Sequence, residues 1–200
     1  MTTSLQRNTA RFAAVMGLTL LATAAAHAQS DSPFIARAIL GATSPAGALK
    51  NQYSSGGLVG VQGSWNARNW LSVTATTMWA NAPTFRTGNI ADYATMWNYD
   101  AGIELRHPKV TTAIGSAWTL DPFIGGGYGS RTYMLTRSIS TSTTSWASYG
   151  AIGADFNRKS GPWGFRLEAR DYSGSFTNPE KTLPRTNGSD LNVFLGFSYR

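Results

Sequence analysis

Between Gly164 and Tyr172 the chain reads GFRLEARDY, and every second residue changes character. Arg166, Glu168 and Arg170 share one parity; Phe165, Leu167 and Ala169 share the other. On a helix, residues two apart point about 200° away from each other, so these charges would scatter. On a strand they share a face. Two kinds of sheet accommodate such a strand. In a soluble sheet the apolar face packs inward and the charges meet water. In a barrel that spans a membrane the apolar face meets lipid and the charges line the interior.

The start of the chain bears on that choice. Residues 1–28 read as a secretory signal: Arg7 and Arg11 are the positive region, Phe12 to Ala25 the apolar stretch, and Ala26-His27-Ala28 the small-x-small cleavage site. Cleavage there leaves residues 29–200 as the mature domain and takes the net charge from +7 to +5. The exported chain has no later apolar run long enough to cross a membrane as a helix. If it stays in a membrane it does so as a closed barrel, the other fold that satisfies every backbone group in lipid. With no cysteine, the chain has neither disulfides nor cysteine-based metal sites.

Alternation recurs along the mature chain and predicts eight strands, near 34–42, 57–65, 70–80, 96–106, 120–133, 146–156, 163–173 and 190–200. Each has about the 9–11 residues that a tilted membrane strand requires. The connections at 66–69 and 157–162 are short, whereas those at 43–56, 81–95, 135–145 and 174–189 are long and polar. Alternating short turns and long loops are the asymmetry of outer-membrane barrels. The segment His107–Trp118 is too long for a tight turn, and extension of a flanking strand is one account of it.

Tryptophan placement is a separate signal. This topology puts Trp65, Trp70, Trp118 and Trp163 at the short-turn ends of strands and Trp79, Trp97 and Trp146 at the long-loop ends. Tyr199 joins the short-turn set. Such residues favour the membrane–water interface, where the ring lies in an apolar layer and the N–H or O–H reaches water. A soluble core would place tryptophan at strand centres. The expected fold is therefore all-β: an eight-stranded antiparallel up-and-down transmembrane β-barrel.

The signal peptide, the eight alternating strands and the final LNVFLGFSYR together resemble a small outer-membrane barrel of the OmpA/OmpX type. The resemblance covers the mature chain and is one of architecture, with no motif that selects a subfamily. It implies location in the outer membrane of a diderm (Gram-negative type) bacterium. It also implies that the barrel-assembly machinery reads the last strand. Asn192, Phe197 and Tyr199 fit the pattern that this machinery reads; Phe194 stands where glycine is usual, and Arg200 follows the last aromatic. The peptidoglycan-binding domain that some such proteins carry after the barrel is not expected.

An eight-stranded barrel is just wide enough for its own side chains to fill. Strand parity sends Arg37, Arg106, Arg131, Arg166 and Arg170 inward, together with Asp100, Glu104, Asp121, Asp155 and Glu168. Five charges of each sign allow complete pairing, which buried charge requires. The expected result is an ionic plug; the competing use of the same residues is an ion pathway. GGGYG at Gly125–Gly129 matches neither a dinucleotide fingerprint nor a phosphate loop, and glycine inside a barrel strand marks a bulge or tight curvature.

No catalytic set emerges. His107 is the only histidine left after cleavage and falls at the short-turn end, and Asp100 with Glu104 is better read as lumen pairing than as an acid–base couple. No cofactor or metal is expected. The cationic excess forms no basic stripe with interleaved aromatics, so nucleic acid is not an expected partner. The expected partners are outer-membrane lipids, with Lys50, Arg86, Arg137, Lys181 and Arg185 of the outer loops placed to meet lipopolysaccharide phosphates. The chain is expected to be monomeric, with a structural or adhesin-like surface role. A narrow channel for small or apolar solutes is one alternative and a lipid A-modifying enzyme another.

Overall fold

A computed structural model describes residues 33–51, 54–87, 90–135, 141–176 and 186–199. The signal segment lies outside them, as do Arg137, Lys181, Arg185, Arg200 and the side chain of Arg86. The described chain forms nine strands: β1 (Phe34–Ala46), β2 (Gly56–Arg68), β3 (Leu71–Thr87), β4 (Ile90–Arg106), β5 (Thr112–Ile114), β6 (Trp118–Leu135), β7 (Thr141–Arg158), β8 (Trp163–Phe176) and β9 (Thr186–Tyr199). One 3-10 turn, Gly47–Asn51, follows β1. With β5 set aside, each strand pairs antiparallel with the next one in the chain, β4 with β6 among them, and β9 returns to β1. Eight strands thus close an up-and-down barrel, and no sheet edge is left among them. No helix among the described residues is long and apolar enough to cross a membrane, so any crossing is made by strands.

β5 answers the question of the His107–Trp118 segment. It pairs with Trp118–Leu120 of β6, on the same edge that β4 occupies from Phe123 onward. After five intervening residues the chain thus resumes the line of β4, and the reversal into β6 falls at 115–117, where Gly115 takes a positive φ of 62°.

All eight expected strands are present, but most run longer than the alternation implies. They extend by up to seven residues into the regions read as long connections; β3 reaches Thr87 and β4 begins at Ile90. The reason is physical. Beyond the apolar band of the wall the outward face no longer has to be apolar, so the period-two signal fades, while the backbone ladder continues unaided. Trp79, Trp97 and Trp146 therefore stand inside strands rather than at their tips. They mark the level where outward positions turn polar: Asn81, Thr95 and Thr144 are the next residues outward on the same faces. Trp70 and Trp79 are nine residues apart on one hairpin arm. At about 3.3 Å per residue and roughly 40° of tilt, that is about 23 Å, close to the ~25 Å apolar band of such barrels.

The two faces of the wall differ as the parity requires. Leu40 is 65% exposed, Ile152 64% and Leu167 47%, whereas Arg166 and Arg170 are 0%. Aromatic rings cluster at the short-turn end, where Trp163 lies 4.6 Å from Tyr199 and 4.9 Å from Phe197, and Trp118 lies 5.8 Å from Phe165. At the other level Trp146 stacks on Tyr128 at 5.5 Å and Trp97 on Tyr99 at 6.1 Å.

Candidate functional site

The lumen is the site with the most chemistry, and β8 supplies its axis. Arg166, Glu168 and Arg170 are neighbours on its inner face because residues two apart on a strand point the same way. Arg166 contacts three carboxylates: Glu168 at 2.6 Å, Asp155 at 3.1 Å, and Glu104. Its guanidinium also lies 3.7 Å from the centroid of the Phe123 ring. Arg106 reaches Glu104 and Asp155, each at 2.8 Å, and Asp121 at 3.3 Å. Arg37 meets Asp155 at 3.4 Å, and its other nitrogen donates to Gln62 and Ser64 on β2. Arg170 bridges Glu168 and Asp100, the latter at 2.7 Å, while the Tyr172 hydroxyl donates to Asp100 at 2.6 Å.

Nine of the ten expected lumen residues thus join one network. Its ties run across the barrel, because β6 and β7 separate β8 from β4 on one side and four strands, β3, β2, β1 and β9, separate them on the other. Arg166–Glu104 and Arg170–Asp100 therefore brace facing walls. Arg131 is the exception. It pairs with Asp190 and donates to Asn98 at 3.2 Å, with the Tyr172 ring 5.0 Å away. Asp190 escaped the sequence reading because it was placed at the very start of a strand. Its parity with Asn192 was the available signal. The expected balance of five and five is corrected by it: the described lumen holds five arginines and six carboxylates, and donors such as Tyr172, Gln62 and Thr111 serve the larger acceptor count.

Around the Arg131–Asp190 pair, the long-connection half of the lumen is mainly apolar. Ile39, Leu49, Leu58, Met78, Met96 and Tyr133 form a buried apolar cluster there. The ionic plug thus fills only part of the lumen, and the inward parity of Met78 and Phe194 agrees with an apolar remainder. Leu49 comes from the 3-10 turn, which folds over the barrel mouth and leaves that side chain 1% exposed. Gly188 makes the room, since a Cβ there would lie 2.7 Å from Leu49 Cδ1. Removing a buried leucine loses roughly 2 kcal/mol or more of local stability. Leu49→Ala is therefore expected to speed proteolytic cleavage between 47 and 55 by about tenfold or more, with little change in the barrel's own unfolding midpoint. Limited proteolysis beside a thermal melt checks this.

Arg170 joins the two halves. Its guanidinium lies 4.6 Å from the Tyr149 ring centroid and 5.3 Å from that of Phe194. The glycines of GGGYG serve this packing. A Cβ on Gly127 would come within 2.7 Å of Tyr149 Cε1, so the small residue opens space for the ring inside the lumen. His107 is exposed and lies outside the network.

No protein-family model and no curated protein matches the sequence. Solved structures do. Neisserial surface protein A superposes with a TM-score of 0.61 at 11% identity, over 84% of this chain and 97% of that one. The outer membrane protein OprG from Pseudomonas aeruginosa superposes with a TM-score of 0.56 at 14% identity, over 83% of this chain and 94% of that one. At these identities the likeness is one of architecture, and the architecture is that of the small eight-stranded outer-membrane β-barrels.

Proposed function

We propose that the chain is a surface barrel of the outer membrane of a diderm bacterium, exported by its N-terminal signal and monomeric, with a structural or surface-interaction role and a lumen that does not conduct. The observation that carries this is the stacking of two obstructions along one axis. Cross-lumen arginine–carboxylate braces occupy the short-turn half, and the apolar cluster under Leu49 occupies the other. A hydrated ion meets fixed, paired charge in one half and, in the other, a largely apolar packing with the Arg131–Asp190 ion pair buried in it. The lumen carboxylates are each engaged by arginine among the described residues, which favours a structural over an acid–base use of them.

In this orientation the short turns face the periplasm and the long connections face outward, where Lys50 is exposed at the mouth. Membrane embedding is tested by electrophoresis with and without heating: the closed sheet resists detergent until heated, so the unheated protein is expected to migrate differently. Function is tested in a planar bilayer. The reconstituted protein is expected to give no steady single-channel conductance. Reproducible openings whose size or ion preference changes in Arg166→Ala would instead favour the narrow channel.

A further inference from the structure

We propose that the short-turn end of the wall built by β4, β6, β7 and β8 holds an anionic diacyl phospholipid. This rests on the membrane-barrel reading and adds a ligand to it. The outer face of that wall carries a groove of about 620 Å³, within the range of small-molecule sites. Leu105, Ile124, Ile152 and Leu167 line it, and its lower end reaches His107 and Val110 in the segment between β4 and β5. Ile124 and Ile152 protrude, being 59% and 64% exposed, while Ala154 between them and Leu167 stays low.

The groove opens onto a cationic rim. Lys109 in the segment after β4, and Arg158 and Lys159 in the β7–β8 turn, are exposed at the short-turn end. Among the described residues Asp121 is the one carboxylate there, and it is occupied by Arg106 at 3.3 Å and the Thr111 hydroxyl at 3.0 Å. The rim is also fixed in place: the Lys159 amide donates to the Ala117 carbonyl at 2.8 Å, which ties the β7–β8 turn to the β5–β6 turn. An apolar trough beneath a rim of uncompensated positive charge matches an amphiphile with acyl tails and an anionic head. A soluble acidic partner would account for the rim and leave the trough unexplained. A zwitterionic lipid would fill the trough and leave the charge unbalanced.

The test is retention of lipid by the purified full chain in a non-ionic detergent, read by native mass spectrometry. Phosphatidylglycerol and phosphatidylethanolamine of matched chains are the probes. Phosphatidylglycerol is expected to be retained about tenfold better, since each basic residue near a headgroup favours it. Lys109→Glu with Lys159→Glu should abolish the preference. Ala154→Trp, which fills the trough from outside and leaves the lumen untouched, should reduce retention of both lipids. Equal retention of the two lipids by the unaltered chain, or full retention of phosphatidylglycerol by Ala154→Trp, overturns the proposal. Heat-dependent mobility is run on each sample; its absence from the unaltered chain overturns the membrane barrel itself, and the lipid site with it.

Discussion

Arg166→Ala is expected to lower the unfolding free energy by about 3–5 kcal/mol, the cost of breaking a buried ion pair from one side. The side chain is 0% exposed and touches Glu104, Asp155 and Glu168. Removal leaves three carboxylates in a space that water enters poorly. Each keeps another arginine: Arg106 for Glu104, Arg37 and Arg106 for Asp155, and Arg170 for Glu168. That redundancy holds the loss to the scale of one broken pair instead of three. Arg166→Lys is not expected to restore the stability, because a point charge does not fork between carboxylates on three strands or lie flat on the Phe123 ring. Denaturant unfolding from detergent micelles, followed by tryptophan fluorescence and by heat-dependent mobility, measures both variants. A loss below about 1 kcal/mol is what an exposed pair gives, and would mean that solvent reaches the network.

The companion experiment separates stability from specificity. Replacing Arg166, Glu104 and Glu168 together by apolar or neutral residues of similar volume removes charge and desolvation at once. Such exchanges in other proteins are often neutral or stabilising. If the triple variant is as stable as the original yet conducts, the network's role is to close the lumen. If it is stable and still silent, the apolar cluster under Leu49 suffices as the barrier.

Most of the barrel was legible in the sequence, and the reason is the period of a strand. Alternation at Leu71–Trp79 and at Trp97–Leu105 specifies both that a strand exists and which side faces lipid, since a one-residue slip would invert every position. The same parity delivered the nine residues of the network, because they lie within the membrane level where the two faces must differ. Four things were not legible. Strand ends beyond Trp79, Trp97 and Trp146 were hidden because the constraint on the outer face stops at the interface. Asp190 was overlooked because a strand's first residue has no preceding partner to set its parity. The fold-back of Leu49 depends on a contact with Gly188, 139 positions away, and no local pattern encodes such a meeting. The pairing of Arg131 with Asp190, and not with the larger network, is likewise a matter of which strands close the circle.

Glycine gives the second large effect, as a contrast between two positions on adjacent strands. Gly127 of β6 points inward, Gly150 of β7 outward. A Cβ on Gly127 would collide with the Ala101 carbonyl of β4, and it would lie 2.7 Å from both Gly102 Cα and Tyr149 Cε1. Two of those neighbours are backbone, so no rotamer change relieves the overlap, and the wall or the Tyr149 ring must move. Moving the ring disturbs Arg170, which lies over it and holds Asp100 and Glu168. Overpacking of this kind costs about 1–3 kcal/mol, and more where a polar network is displaced with it. Gly127→Val is therefore expected to lose at least about 3 kcal/mol or to fail to close. At Gly150 nothing lies within 4 Å of an added Cβ. Gly150→Val adds a branched apolar side chain to a strand on the face that meets lipid, where glycine is a weak strand former. It is expected to be neutral or slightly stabilising. Refolding yield and denaturant midpoint, read side by side, check the pair. If both substitutions are tolerated equally, the close approach of β6 to β4 that makes room for Tyr149 is not present in the folded protein. If both are damaging, the outward face at Gly150 is covered by something other than lipid.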